Sequence, residues 1–315
     1  MTGGAGFIGS QLAERLVAEG HKVLIYDAFT KQYPAATKRR HVAAALGLPG
    51  CSLIEGDVLE AQRFESVFSA QAVDAIVHLA AYTGPVTPDT ARTALEANVL
   101  GLFNVLERGR KHSVGRFIYL SSGAVYGLRH QGPCKETDPA DRPLSAYAAS
   151  KKAGESLAWL AHQQHGVEVA VLRAFAVYGP RQRPDQMIHR IARKLLAAEP
   201  LELPGDGTQV FDFVYVDDAV DAVVRALEAA KGFEVLNVGS GRGTTLLELV
   251  DRLGAVAGLV PTVTFGPPDP TIPPVSLADV AKAERLLGWR PATELDDGLR
   301  RMFGWMRAEE FADEA

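Results

Sequence analysis

The sequence holds only two cysteines, Cys51 and Cys134, in 315 residues. Neither belongs to a paired Cys/His spacing, so a disulfide framework and a zinc frame are both excluded. They read as ordinary thiols of a reducing compartment, which makes a cytoplasmic location the expectation. Long apolar runs are missing too: none approaches the roughly 20 residues of a membrane-spanning helix, and no charged-then-apolar leader is visible. Charge of one sign is not in excess. With 33 Lys+Arg against 38 Asp+Glu the net charge is -5, which offers nothing to nucleic acid or to an anionic membrane. Internal repeats are absent. Hydrophobic content of 47% and charged content of 23% are ordinary for a globular chain large enough for one big domain or two modest ones.

What is present begins at once. Thr2-Gly3-Gly4-Ala5-Gly6-Phe7-Ile8-Gly9 spaces three glycines by three residues, and Ile8, Leu12, Leu16 and Val17 follow at helical spacing. A glycine turn that opens a helix suits a dinucleotide pyrophosphate. One glycine makes the turn, the next admits the phosphate, and the third lets the helix pack on the sheet. Lys22 to Tyr26 reads as a buried strand with Asp27 at its end, 21 residues after Gly6. An acid there holds ribose hydroxyls and repels a 2′-phosphate, so NAD is expected rather than NADP. Such a turn follows a buried first strand, yet only Met1 and Thr2 precede it here. The expectation is that the strand lies upstream, with Met1 standing where a valine is natural. The mass of the native protein decides it.

Up to about residue 173, short apolar strands alternate with helices. The strands are expected at 22–26, 51–55, 74–79, 116–121 and 168–173, and the helices at 8–19, 35–46, 60–69, 89–112 and 145–165. That is a doubly wound α/β pattern, whose ligands collect at the carboxyl ends of the strands. Beyond residue 174 prolines and the Gly205-Asp206-Gly207 turn break the rhythm. A strand and helix over 212–229, a strand at 234–238 and helices at 245–258 and 279–288 are expected there. They flank a proline-rich loop from Pro261 to Pro274, and an acidic, frayed tail runs from Glu309 to Ala315. Trp159, Trp289 and Trp305 read as core or interface packing. His78 reads as satisfying backbone at a strand end, because no second metal ligand is spaced for it.

Tyr147-Ala-Ala-Ser-Lys151 puts a tyrosine and a lysine one helical turn apart on one face. A tyrosine that moves protons near neutral pH needs its ordinary value of about 10 lowered, which a fixed ammonium does. Ser122 follows a strand and is placed to share a substrate hydroxyl with Tyr147. With these stretches the chain resembles the extended short-chain dehydrogenase/reductases that epimerise or dehydrate sugar nucleotides, and looks most like the UDP-glucuronate 4-epimerases. Further matching stretches are Gly56-Asp-Val58, His78-Leu-Ala-Ala81, Asn98-Val-Leu-Gly101, Ser121 to Gly127, Leu172 to Pro180, Gly205 to Gln209 and Asp212 to Asp218.

The resemblance implies a Rossmann-type doubly wound parallel sheet over 1–173 and 208–240, and a smaller mixed α/β substrate-binding part over 174–207 and 241–315. It implies that Gly3, Gly6, Phe7, Ile8, Asp27, Asp57, Val58, Leu79, Ala80, Ala81, Thr83, Asn98, Tyr147 and Lys151 line NAD. Tyr147 is then the acid/base, Lys151 its tuner and Ser122 its partner. No metal is implied. A homodimer through helices 89–112 and 145–165 is.

Relatives that dehydrate carry Asp-Glu after the Ser/Thr, and decarboxylating ones usually a Glu. Here Gly123 and Ala124 stand there, which favours simple redox at C4: oxidation, turnover of a ketone, and hydride return. Phe29-Thr-Lys-Gln-Tyr33 and Ala35 to Arg40 look like the same region of uronate epimerases. Arg183 matches the residue that holds the uronate carboxylate, for which a guanidinium is suited. The chain departs from the family where the diphosphate is held. Ala176 replaces the usual Asn after Phe175, Phe211 replaces the usual Arg just before Asp212, and Pro267 to Pro274 replaces the usual Arg and Gly-Asp pair; Ser122, Arg183, Ala176, Gln209 and Phe211 are the substrate-binding positions that the resemblance implies. The competing readings are therefore a glycoside without a diphosphate, on which Phe211 would meet a ring, and a one-way ketoreductase. A non-enzymatic dinucleotide binder is disfavoured because Ser122, Tyr147 and Lys151 are all present.

Overall fold

The computed structural model describes residues 1–30, 32–70, 72–84 and 87–313. Lys31 of the Phe29–Tyr33 stretch and the last two residues of the expected tail lie outside them. Among the described residues, strands Cys51–Glu55 and Val23–Asp27 pair in parallel. So do Ala75–His78, Arg116–Ser122, Glu168–Ala174 and Phe233–Val238, in that spatial order. Thr2 joins the two sets, bridging in parallel to both Tyr26 and His78. Its amide donates to the Val77 carbonyl at 3.0 Å, and the Tyr26 amide donates to the Met1 carbonyl at 2.8 Å. Met1 and Thr2 thus occupy the position expected of the first strand.

Alternation along each strand splits its side chains between two cores, as a sheet covered on both faces requires. Ile25, Val77, Ile118 and Leu172 face helices Phe7–Ala18 and Val216–Ala229. Tyr26, Ile76, Phe117, Tyr119 and Val171 face helices Gly101–Lys111 and Ala146–His165. This is the expected doubly wound sheet.

Two expected helices are divided. The 60–69 segment forms Ala61–Phe64 and Ser66–Ala70, and the intervening Glu65 accepts from Lys111 at 2.6 Å. The 89–112 segment is Pro88–Leu95, a π-helical turn Glu96–Leu100, and Gly101–Lys111. The widened turn lets the Asn98 amide reach back to the Tyr82 backbone.

The C-terminal part holds more structure than its prolines suggest. Ala176–Tyr178, Val210–Tyr215, Gly243–Thr245 and Val275–Ser276 form a second sheet. Inside the expected Pro261–Pro274 loop, Val263–Gly266 pairs in parallel with Leu201–Pro204. Helix Met187–Leu196 was not marked by the sequence, and helix Leu295–Asp313 runs through most of the tail expected to fray, with Glu309 paired to Arg40 at 3.2 Å. Trp289 is buried and donates to the Asp218 carbonyl at 2.9 Å. No described helix is long and apolar enough to cross a membrane.

Candidate active site

The glycine turn is built by close approach. Gly3 has φ +70°, and a Cβ added there would lie 2.5 Å from the Ala80 nitrogen. One on Gly9 would lie 2.4 Å from the Gly3 oxygen, so this glycine lets the helix sit on the turn. Gly6 is different: a Cβ there meets only the Gly3 oxygen, at 3.2 Å. Gly6 also occupies the N-cap of helix Phe7–Ala18, and no side chain caps that end. An open glycine at an uncapped helix N-terminus fits a pyrophosphate. Phe7 is buried in the core and Ile8 partly buried, so at this turn they offer backbone rather than side chain.

Asp27 ends its strand where a ribose hydroxyl would be met. Its Oδ2 accepts from the Ala5 amide at 3.0 Å and its Oδ1 from the Phe29 amide at 2.8 Å. Lys38 stands 3.8 Å from Asp27 and is buried; desolvation pulls its ammonium below the ordinary lysine range, against the pull of Asp27. Past the next strand, Asp57 accepts from the Leu59 amide at 2.9 Å and Val58 is buried.

Leu79, Ala80, Ala81, Tyr82 and Thr83 emerge half-buried from the third strand end. Asn98 fixes this run: its Oδ1 accepts from the Tyr82 amide at 2.6 Å, and its Nδ2 donates to the Tyr82 carbonyl at 3.0 Å and to Ser150 Oγ at 2.9 Å. Asn98 therefore shapes the wall rather than presenting a free amide. His78 is buried and bonds the Thr2 hydroxyl at 2.8 Å, not backbone as expected. Its ring packs against Phe117 and Tyr119, and burial pulls its pKa down to about 3. The described residues contain no cluster of three or more metal-ligating groups.

Ser122, Tyr147 and Lys151 come together. Ser122 ends the Arg116–Ser122 strand half-buried, and Tyr147 and Lys151 lie in the first turns of helix Ala146–His165. Ser145 caps that helix by accepting from the Ala148 amide at 3.1 Å. Desolvation pushes the Tyr147 hydroxyl up from its ordinary range. A hydrogen bond with Ser122 and the nearby charge of Arg183 oppose this. Lys151 is buried, donates to the Leu120 carbonyl at 2.8 Å, and faces the Tyr119 ring at 5.1 Å. Burial pulls it down to about 7, and Glu155 opposes that pull.

Arg183 reaches this site from the second part. Nε donates to Asp185 Oδ1 at 2.9 Å, one terminal nitrogen to Asp185 Oδ2 at 2.5 Å, and the other to Gln32 at 3.2 Å and to Thr83. Gln209 donates to the Pro204 carbonyl at 2.9 Å and leaves a buried Oε1 without a described partner. Ala176 is half-buried. Phe211 is not an exposed platform for a ring: it is buried in the main core, 5.8 Å from Phe213.

The NAD dependent epimerase/dehydratase family matches residues 1–239. The chain belongs to that family. A UDP-glucuronate 4-epimerase of Thermodesulfobacterium geofontis is 30% identical over 312 residues, covering 98% of this chain and 95% of that protein. A crystal structure of a UDP-glucuronic acid 4-epimerase from Bacillus cereus, in complex with UDP-glucuronic acid and NAD, superposes with a TM-score of 0.92. It is 32% identical and covers 98% of both chains. The UDP-glucose 4-epimerase of Thermotoga maritima, solved with UDP-glucose, has a TM-score of 0.89 at 30% identity, again over 98% of both chains.

For a member of this family three side chains at the site went unread in the sequence. Glu155 lies one turn beyond Lys151 on the same helical face, a spacing open to inspection. Arg173, its buried partner, sits inside a strand where a charge is unexpected. Asp185 lies two residues beyond Arg183 in the sequence.

Proposed function

We propose that the protein is a UDP-glucuronate 4-epimerase with NAD as a retained cofactor. The observation that carries this reading is the place of Arg183: the guanidinium donates to Thr83 of the Leu79–Thr83 wall and to Gln32, which brings it to the end of the sheet where Tyr147 lies. On a hexuronate the carboxylate is borne by C5, next to the reacting C4. A sugar whose C4 hydroxyl meets Tyr147 therefore brings its carboxylate within reach of Arg183.

NAD, when bound, supplies a hydride acceptor at C4 and returns the hydride. The glycine turn, the first-turn N–H groups and Asp27 are suited to hold its diphosphate and adenosine ribose, with Asp57, Val58 and the Leu79–Thr83 wall beside it. Tyr147 takes the C4 hydroxyl proton and gives it back, while Ser122 holds the same oxygen. Gly123 and Ala124 offer no acid or base, so neither water nor carbon dioxide is drawn out. Arg183 neutralises the uronate, which also protects a β-keto acid from losing CO2. Residues 1–173 with 208–240 serve the dinucleotide, and 174–207 with 241–315 the sugar.

A substrate without a diphosphate loses one of its supports, a ring resting on Phe211, because that side chain is part of the core. We also place the protein in the cytoplasm, in keeping with its free thiols. We read it as a homodimer through Pro88–Lys111 and Ala146–His165, which leave Leu95, Leu100, Phe103, Trp159 and Leu160 exposed.

The test is incubation with UDP-glucuronate and NAD, followed by NMR. UDP-galacturonate forms if the reading is right, and Tyr147→Phe reduces its formation to background. Absence of the C4 epimer overturns it, and build-up of NADH in step with loss of the sugar alcohol marks a one-way oxidoreductase, the ketoreductase run in reverse.

A further inference from the structure

One carboxylate ties together the three elements that meet beneath the site. Glu155 projects from helix Ala146–His165, one turn beyond Lys151 and two beyond Tyr147. Its Oε1 accepts from Ser121 Oγ at 2.8 Å and from Arg173 Nε at 2.8 Å, and its Oε2 from an Arg173 terminal nitrogen at 2.8 Å and from Lys152 at 3.0 Å. Ser121 precedes Ser122, and Arg173 belongs to the neighbouring strand Glu168–Ala174. Both members of the Glu155–Arg173 pair are buried, with side chains 4% exposed.

We infer that Glu155 is a positioning residue for the reaction: it supplies the counter-charge that keeps Lys151 an ammonium, and through Ser121 it holds Ser122 opposite Tyr147. This rests on the reading of Tyr147 and Lys151 given above. Packing alone does not account for the arrangement. A buried ion pair is seldom more stabilising than apolar residues of the same shape, so its retention invites a role. Around Lys151 the charged and titratable groups can be named. On its own helix are Tyr147, Lys152 and Glu155. The strand side contributes Tyr119, Arg173 and His78, whose ring feels the Lys151 charge. Of these only Glu155 opposes the desolvation of Lys151. Arg173 keeps Glu155 itself ionised, against the burial that would protonate it. The fork of Arg173 prevents the carboxylate from swinging away, and its face lies 4.8 Å from the Tyr126 ring.

The experiment follows Lys151 in the NAD-bound protein by NMR of ζ-15N-lysine, with the signal assigned by its loss in Lys151→Met. It also follows the pH profile of epimerisation. Glu155→Gln strands the Arg173 charge and lowers the melting temperature, so Glu155→Gln combined with Arg173→Met restores a neutral interior. In the double variant the Lys151 titration and the alkaline limb of kcat both move down by about one pH unit. Glu155→Asp, which keeps the charge, leaves the titration near that of the parent. An unchanged Lys151 titration in the double variant overturns the inference and leaves Glu155 a purely structural partner of Arg173. A protein that shows the shift yet makes no UDP-galacturonate refutes the proposed substrate, not the role of Glu155.

Discussion

Asp185 grips the guanidinium of Arg183 along one edge, Oδ1 on Nε at 2.9 Å and Oδ2 on a terminal nitrogen at 2.5 Å. That is the bidentate geometry a uronate carboxylate would seek. The other terminal nitrogen already donates to Gln32 and Thr83. A substrate carboxylate must therefore displace Asp185 or accept a single remaining N–H. Asp185→Asn weakens the internal partner and removes a repelling charge. The KM for UDP-glucuronate should fall about tenfold, since one charge-assisted hydrogen bond is of that order, while turnover of UDP-glucose is unaffected. Arg183→Met should raise the KM for the uronate by tenfold or more. If KM rises in both variants, Asp185 orients the arginine and does not compete with the substrate.

The glycines of the turn should separate folding from cofactor binding. Gly3→Ala forces a side chain into a left-handed conformation and into the Ala80 backbone at 2.5 Å, and backbone cannot swing aside. It should lower the melting temperature of the cofactor-free protein sharply. Gly6→Ala meets only the Gly3 oxygen at 3.2 Å. It should fold with a melting temperature within a few degrees of the parent, yet purify without NAD, because its methyl occupies the pyrophosphate approach. Calorimetry and the NAD content of the purified protein measure the two effects. A Gly6→Ala protein that retains NAD places the pyrophosphate elsewhere.

Local signals were legible and distant pairings were not. Strand Cys51–Glu55 and helix Ala35–Leu46 lie where the sequence puts them, because each is bounded by turn residues and carries its own period. The one-turn step from Tyr147 to Lys151 is local in the same way, and together with the glycine turn and Ser121-Ser122 it marked a candidate site. The pairing of Leu201–Pro204 with Val263–Gly266 joins segments about sixty residues apart and leaves no local mark. Helix Met187–Leu196 was hidden between prolines at 184 and 200, although Ile188, Ile191, Ala192 and Leu195 are buried along one face. Glu155 escaped notice because its partner Arg173 comes from another element, whereas the Arg183–Asp185 pair spans two residues and was open to inspection.

Three buried histidines predict loss of stability in acid. His41 and His189 pack on Trp305 at ring distances of 6.0 and 6.3 Å, and His41 Nδ1 and Nε2 and His189 Nδ1 lack described partners. Burial pulls both down to about 4, and His78 to about 3. Above pH 6.5 these rings are neutral whether the chain is folded or not, and their titration is without effect. As pH falls from 6.5 towards 4 the unfolded chain takes up protons that the folded one refuses, so stability is lost. Each ring costs about 1.4 kcal/mol per pH unit within that window. Urea midpoints between pH 7.5 and 5 should fall steeply, and His41→Phe should flatten the slope. A slope unchanged by that substitution removes His41 from the account.

The π-helical turn Glu96–Leu100 makes a prediction about assembly. It adds one residue to the helical repeat, so a five-residue step from Leu95 brings Leu100 beneath it, and a three-residue step brings Phe103 beneath that. All three are exposed, while Leu102, Val105 and Leu106 of the same helix are buried against the sheet. Trp159 and Leu160 are exposed on the helix Ala146–His165 packed beside it. An apolar face aligned in this way, bordered by charged residues such as Arg92, Glu96 and Glu107, suits a second copy of the chain. Light scattering should give twice the chain mass for the parent and the single mass for Phe103→Glu, with unchanged far-UV circular dichroism. Phe103 is exposed on helix Gly101–Lys111, an element that carries neither the glycine turn nor Tyr147, so the monomer should still bind NAD. A Phe103→Glu protein that remains a dimer excludes this face from the interface.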